Sequence, residues 1–313
     1  MLRSGRSTSA VLLKQLRTIS SRAAAMSTGP LVSGNDVQVF VSAGHDVRFV
    51  DASWYLDKAR NGLAEFNQER LPGAVFFDID TIKDKNSSLP HMLPPADEFS
   101  SAVQALGISN DSTVVVYGGF NCFSPARAWW TFKYFGHDNV HVLNGGLTRW
   151  KNEGRKIEQG SPTTPTPSVS YVATPRPNLV LNSTQVLALL NTKDQIIDAR
   201  GPGRFYAKEP EPRAGMRGGH MPSALNVPFA KVLTSDDFSV WRHADEIRQN
   251  FEASGVRLNE TTLIATTCGS GVTASVLTLG LHSLNVPLER VPVYDGSWSE
   301  WGASADLPVV QDD

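Results

Sequence analysis

The body of this chain is one pattern written twice, and that duplication limits its fold more than any other feature. In the first half, Val47-Arg48-Phe49-Val50-Asp51-Ala52-Ser53 is a short apolar strand ending in a polar turn; in the second, Gln195-Ile196-Ile197-Asp198-Ala199-Arg200 repeats it. Leu71-Pro72-Gly73-Ala74 returns as Met221-Pro222-Ser223-Ala224, an offset of 150. Thr113-Val114-Val115-Val116-Tyr117 returns as Thr262-Leu263-Ile264-Ala265-Thr266. Asn144-Gly145-Gly146 with Trp150 returns as Asp295-Gly296-Ser297 with Trp301, an offset of 151. Matches in one order at a nearly constant offset mark a duplicated domain; solenoid units recur at only about 20–50 residues.

Within each copy, short apolar strands alternate with amphipathic stretches such as residues 184–190 and 245–252. That alternation predicts an α/β fold: two tandem domains, each a mainly parallel sheet flanked by helices. In such sheets ligands bind beyond the carboxyl ends of the strands. Between the copies lies Gly160-Ser161-Pro162-Thr163-Thr164-Pro165-Thr166-Pro167, then Pro175 and Pro177. This Pro/Thr density suppresses helix and interior strand and predicts an extended linker. The chain thus divides into a leader at 1–30, a first domain at 36–158, a linker at 159–178 and a second domain at 179–310.

Charge separates the leader from the body. No acidic residue precedes Asp36, whereas Arg3, Arg6, Lys14, Arg17 and Arg22 are basic. Setting these five aside leaves 24 of the 29 basic residues against 31 acidic ones, so a formal net charge of −2 hides a body near −7. The leader is rich in Ser, Thr and Ala, and Val11, Leu12, Leu13, Leu16 and Ile19 fall mostly at helical spacing. A basic, Ser-rich, acid-free amphipathic segment predicts mitochondrial targeting. Met26 offers an alternative start that would leave a cytoplasmic form.

The rest of the composition excludes more than it assigns. Two cysteines cannot build a disulfide scaffold or a Cys-rich metal site, so each thiol needs its own explanation. The near-neutral balance gives no electrostatic case for nucleic acid. No apolar run reaches the roughly 18 residues that read as a membrane span.

Cys268 ends the apolar strand at 263–267 and opens Cys268-Gly269-Ser270-Gly271-Val272-Thr273-Ala274, with a helix predicted over 274–284. Glycines let the backbone fold tightly around the sulfur with its N–H groups turned inward. The adjoining helix N-terminus adds positive dipole ends. Both favour the thiolate, which is the nucleophile. The alternative is a buried structural cysteine. The first copy is an internal control: the position matching Cys268 is Gly118. Cys122 lies later in that loop, beside Phe123, and reads as structural.

These motifs resemble the two-domain rhodanese superfamily, and within it the 3-mercaptopyruvate sulfurtransferases. The resemblance covers roughly residues 36–310. It rests on the Cys268 loop, on Val293-Tyr294-Asp295-Gly296-Ser297-Trp298-Ser299-Glu300-Trp301, on Leu71-Pro72-Gly73-Ala74-Val75-Phe76-Phe77-Asp78-Ile79-Asp80 and on His91-Met92-Leu93-Pro94. It departs at Glu69-Arg70-Leu71, where the family often has His-Ile. It implies that Cys268 carries a persulfide within a loop formed by Gly269, Ser270, Gly271, Val272 and Thr273. The thiosulfate-preferring branch has loops like Cys-Arg-x-Gly-Val-Thr; Gly269 and Ser270 are uncharged, as in the mercaptopyruvate branch. A carboxylate donor needs a guanidinium fork. The resemblance gives that role to Arg204 and Arg213, with pairing to Glu209 and Glu211 as the alternative.

In the same branch, residues matching Asp80, His91 and Ser270 form a proposed proton relay, with hydroxyl, imidazole and carboxylate in sequence. The implied reaction moves sulfur from 3-mercaptopyruvate through Cys268 to cyanide or to a thiol such as thioredoxin, and releases pyruvate. Thiosulfate as donor, or relay to a protein acceptor as in tRNA thiolation, are the alternatives. No metal or organic cofactor is implied. A Cys-based phosphatase would need Arg at the sixth position after the thiol, where Ala274 stands. Deleting residues 1–25 is expected to move the protein from mitochondria to the cytoplasm in cell imaging; unchanged localisation would show that the leader is no address.

Overall fold

The computed structural model describes residues 29–162 and 169–311; residues 1–28 of the 1–30 leader, residues 163–168 of the linker and residues 312–313 lie outside them. The first half contains β1 (Leu31–Val32), α1 (Gly34–Ser42), β2 (Val47–Asp51), α2 (Gly62–Gln68), β3 (Val75–Phe76), α3 (Ala96–Ala105), β4 (Thr113–Tyr117), α4 (Pro125–Tyr134), β5 (Val140–Leu143) and α5 (Gly146–Asn152). The second half runs through the same series: β6 (Val180–Leu181), α6 (Ser183–Leu189), β7 (Gln195–Asp198), α7 (Pro202–Phe205), β8 (Leu225–Asn226), α8 (Ala244–Ala253), β9 (Ile264–Thr267), α9 (Val272–Ser283), β10 (Val293–Tyr294) and α10 (Ser297–Trp301). The sheet orders, β1-β5-β4-β2-β3 and β6-β10-β9-β7-β8, are the same permutation. Every strand pairing in the two sheets is parallel.

Local sequence explains most of these elements. β4, Thr-Val-Val-Val-Tyr, is buried along its whole length, as expected of a parallel strand covered on both faces. Matching capping boxes start the two halves. Ser33 Oγ accepts from Asp36 N while Ser33 N donates to the Asp36 carboxylate, and Asn182 and Gln185 do the same before α6. The helix read over 274–284 begins two residues earlier, at Val272. Gly271, in the left-handed region at φ 81°, turns the chain from loop to helix in one step.

The two halves share one core. The first eight residues of α4 are apolar or aromatic except for Arg127 and Thr131, and all eight are buried. α9 is buried from Val272 to Leu281 apart from Thr273. Helices this apolar on every side must be covered on every side, and they are covered in part by each other. Trp129 of α4 packs on His282 of α9 with ring centroids 5.8 Å apart. Phe123 meets Phe229 at 5.0 Å from the other half. The later part of the linker lies on the first half: Thr174 N and Arg176 N donate to the carbonyls of Phe135 and Tyr134, and Tyr171 is buried. The family departure at Arg70 has a packing role, since its guanidinium bonds the Gly160 carbonyl and lies 5.4 Å from the Phe66 ring.

One ion pair crosses this shared core. Arg127 Nη1 donates to Asp295 Oδ1 at 2.5 Å, and the two side chains are 4% and 1% exposed. Removing one partner of a buried pair strands the other charge, at a cost of about 3–5 kcal/mol. Arg127→Met is expected to lose about that much in denaturant unfolding, with part regained in the Arg127→Met/Asp295→Asn double variant. A single variant as stable as the parent would show that the pair holds nothing.

Candidate active site

Cys268 sits just beyond the carboxyl end of β9, and its residue is 2% exposed. The loop after it is pinned from below by α10. Trp298 N donates to the Cys268 carbonyl, and Ser299 N and Oγ donate to the Gly269 carbonyl. Ser297 adopts φ 50°, a left-handed conformation that costs a non-glycine residue about 1–3 kcal/mol. From there its Oγ accepts from Cys268 N at 3.2 Å and donates to the Tyr294 carbonyl at 2.8 Å. With these carbonyls bound, the backbone N–H groups of Gly269, Ser270, Gly271 and Val272 have no acceptor among the described residues. A tight turn of free N–H groups is an anion cradle.

The cleft above the sulfur holds about 120 Å³. Cys268, Gly269, Ser270, Val272, Thr273, Arg204 and Arg213 all line it. A Cβ on Gly269 would lie 3.2 Å from Arg204 Nη2 and 3.7 Å from Arg213 Nη1, so both guanidiniums stand over this loop position. Arg204 is paired, but not on the surface: Glu211, 2% exposed, takes its Nη2 at 2.6 Å. Arg204 nevertheless keeps 22% exposure toward the cleft. Gly271 does not line the cleft; a Cβ there would meet Arg127 Nη1 at 2.7 Å, so this glycine is demanded by the interface.

Asp80, His91 and Ser270 meet behind the loop. His91 Nδ1 lies 3.0 Å from Ser270 Oγ, and His91 Nε2 lies 2.9 Å from Asp80 Oδ1. Trp54 Nε1 donates to Asp80 Oδ2 at 2.8 Å, and its ring stands edge-on to the imidazole. The hydrogen bond from His91 holds the Asp80 carboxyl below its usual range, against partial burial. Burial pushes the His91 imidazole down; Asp80 opposes this, while Arg127 and Arg213 add to it. Ionised Asp80 can only accept, so Nε2 of neutral His91 carries the proton and Nδ1 accepts from the Ser270 hydroxyl.

Sequence reading missed what sets this geometry. Arg127 reaches from α4 to the carbonyls of His91 and Gly271, and Asp295 Oδ2 accepts from Leu93 N at 2.8 Å. The signal was a lone charge in the apolar run Ala126–Trp130. Trp54 and Leu56, from the first half, close the cleft over the second half's thiol. Cys122 is buried, with Sγ 3.1 Å from Ser124 Oγ, and burial pushes its thiol up.

Comparison with known proteins agrees with this architecture. The model of the rhodanese-like domain matches residues 44–153 and again 182–304. The chain belongs to the rhodanese family, in its tandem two-domain form. Thiosulfate/3-mercaptopyruvate sulfurtransferase 1, mitochondrial, of Arabidopsis thaliana is 39% identical over 290 residues, spanning 84% of this chain and 74% of the relative. The 3-mercaptopyruvate sulfurtransferase of Escherichia coli K12 is 42% identical over 251 residues, spanning 80% of this chain and 86% of its own. The crystal structure of SseA from Escherichia coli, a 3-mercaptopyruvate sulfotransferase, has a TM-score of 0.76 at 35% identity, covering 86% of this chain and 99% of that one.

The lowered affinity of His91 for protons links the site to stability. The unfolded chain takes up that proton near the ordinary value of about 6.5, before the folded protein does. This group's contribution is therefore complete above about pH 6.5 and is lost as pH falls through the folded value. The fall in melting temperature between about pH 7.5 and about pH 5.5 is expected to be smaller in His91→Gln than in the parent. Equal falls would show that His91 is not held neutral by its surroundings.

Proposed function

We propose that this chain is a sulfurtransferase that takes sulfur from 3-mercaptopyruvate onto Cys268 and passes it to a thiol or cyanide, releasing pyruvate. The observation that carries this reading is the thiol at the floor of a cleft whose loop is uncharged and whose wall holds Arg204 and Arg213. Relatives about 40% identical over most of the chain bear that activity in their names.

Arg204 and Arg213 orient the donor by its carboxylate and 2-oxo group, placing its sulfur against Cys268. Cys268 thiolate attacks that sulfur, the S–S bond forms, and the carbon–sulfur bond breaks. Its electron pair leaves on carbon as the enolate of pyruvate, which takes a proton to give pyruvate. Ser270 supplies the proton path, passing the donor's thiol proton to His91 Nδ1 and returning it to the methylene carbon, with Asp80 holding the imidazole. Free N–H groups of the loop stabilise the anionic outer sulfur of the persulfide. A small thiol, reduced thioredoxin or cyanide then removes that sulfur and restores the thiolate.

Thiosulfate is a second donor on this reading, because the two guanidiniums suit any oxyanion and the Arabidopsis relative is named for both donors. Residues 1–30 serve as a mitochondrial address, in line with the location in that relative's name.

A single turnover with 3-mercaptopyruvate is expected to add the mass of one sulfur atom to the peptide holding Cys268, and Cys268→Ala to abolish it. His91→Gln is expected to keep the adduct but lower kcat about a hundredfold. Sulfur transfer retained by Cys268→Ala would overturn the proposal.

A further inference from the structure

Five fixed charges build the arginine wall of the cleft and its buried backing, and they do not balance. Asp198 and Glu211 are negative; Arg200, Arg204 and Arg213 are positive. Arg200 is fully buried and saturated. Its Nε lies 2.9 Å and 3.1 Å from the two Asp198 oxygens, its Nη2 bonds Asp198 Oδ2 at 2.6 Å, and its Nη1 bonds Glu211 Oε1 at 2.8 Å. Its guanidinium also stacks 4.0 Å from the Trp298 ring. Glu211 spends its second oxygen on Arg204 Nη2 at 2.6 Å. Arg213 meets no carboxylate among the described residues; its Nη2 lies 3.5 Å from Ser270 Oγ. Two carboxylates therefore answer two guanidiniums, and one positive charge is left over.

We propose that Glu211 is a specificity-determining residue: its buried carboxylate trims the arginine wall of the cleft to a single surplus positive charge, facing the Cys268 thiolate, which favours a monoanionic 2-oxo acid over a dianionic donor such as thiosulfate. This rests on the reading of the chain as a sulfurtransferase. In a cleft, an added unit of charge acts on a dianion twice as strongly as on a monoanion. Glu211 has a second consequence, since it holds the Arg204 fork in the orientation that faces the loop. That positioning affects both donors, whereas the charge count affects their ratio.

The ratio of kcat/KM for thiosulfate to kcat/KM for 3-mercaptopyruvate separates the two effects. Glu211→Gln keeps the shape and removes the charge, and is expected to raise the ratio about tenfold or more. Glu211→Asp keeps the charge and is expected to leave the ratio within about threefold of the parent. Gly201→Lys adds a charge at the same cleft without touching the buried pairs, because a Cβ on Gly201 would meet nothing within 4 Å. It too is expected to raise the ratio, and it decides the matter alone if Glu211→Gln does not fold. The inference stands if the ratio rises in each folded variant of these two, and falls if either leaves it flat. A parent protein that forms no persulfide with either donor overturns the reading of function instead.

Discussion

Everything about the site depends on a charge pair that never touches the cleft. Arg127 and Asp295 come from opposite halves and meet out of water. Their remaining hydrogen-bonding capacity goes to the backbone: Arg127 holds the carbonyls of His91 and Gly271, and Asp295 holds Leu93 N. The pair therefore fixes where the His91 segment lies relative to the loop that carries Ser270. Buried ion pairs contribute little net stability compared with apolar packing of the same shape. What this one supplies is register, set by directional bonds between two halves that hydrophobic contact alone leaves free to slide.

Duplication then allowed the halves to specialise. The second half keeps the thiol, the arginines and Ser297, whose side chain bonds the Cys268 amide from a strained left-handed backbone. At the matching place the first half has Gly146, because a Cβ there would lie 2.2 Å from the Gly118 carbonyl. Cys122 Sγ fills the space beside Gly118, only 2.8 Å from where that residue's Cβ would stand, so the position matching Cys268 has no room for a side chain. Asp198 is matched by Arg200, but Asp51 has Ser53 in that place, and burial pushes the Asp51 carboxyl up to about 6. The first half therefore has no guanidinium at the place of Arg200. It now lends His91, Asp80, Trp54 and Leu56 to its copy.

The electrostatics of the cleft follow from the same division of labour. An uncharged loop lets the backbone N–H groups and the arginines of the wall share the work of holding an anion. A side chain at Gly269 would press on the Arg204 guanidinium, with a Cβ 3.2 Å from Nη2, so glycine leaves both arginines undisturbed over the loop. A neutral His91 suits this setting, because burial, with Arg127 and Arg213 nearby, disfavours a further positive charge there.

The sequence alone determined the architecture, since period-150 repetition, alternating strands and helices, and all-apolar runs leave parallel α/β domains as the way to bury so much. It also singled out Cys268 as the candidate nucleophile, because strand, glycine loop and helix are local in the chain. Asp80, His91 and Ser270 came only through family resemblance, with 179 residues separating His91 from the serine it bonds. Arg127 with Asp295, and Glu211 between Arg200 and Arg204, were decided by tertiary structure. The reason is that a charge's role depends on which opposite charge shares its burial, and that partner is chosen by packing across the fold. Periodicity records which face of an element is buried; it does not record what waits on the other side.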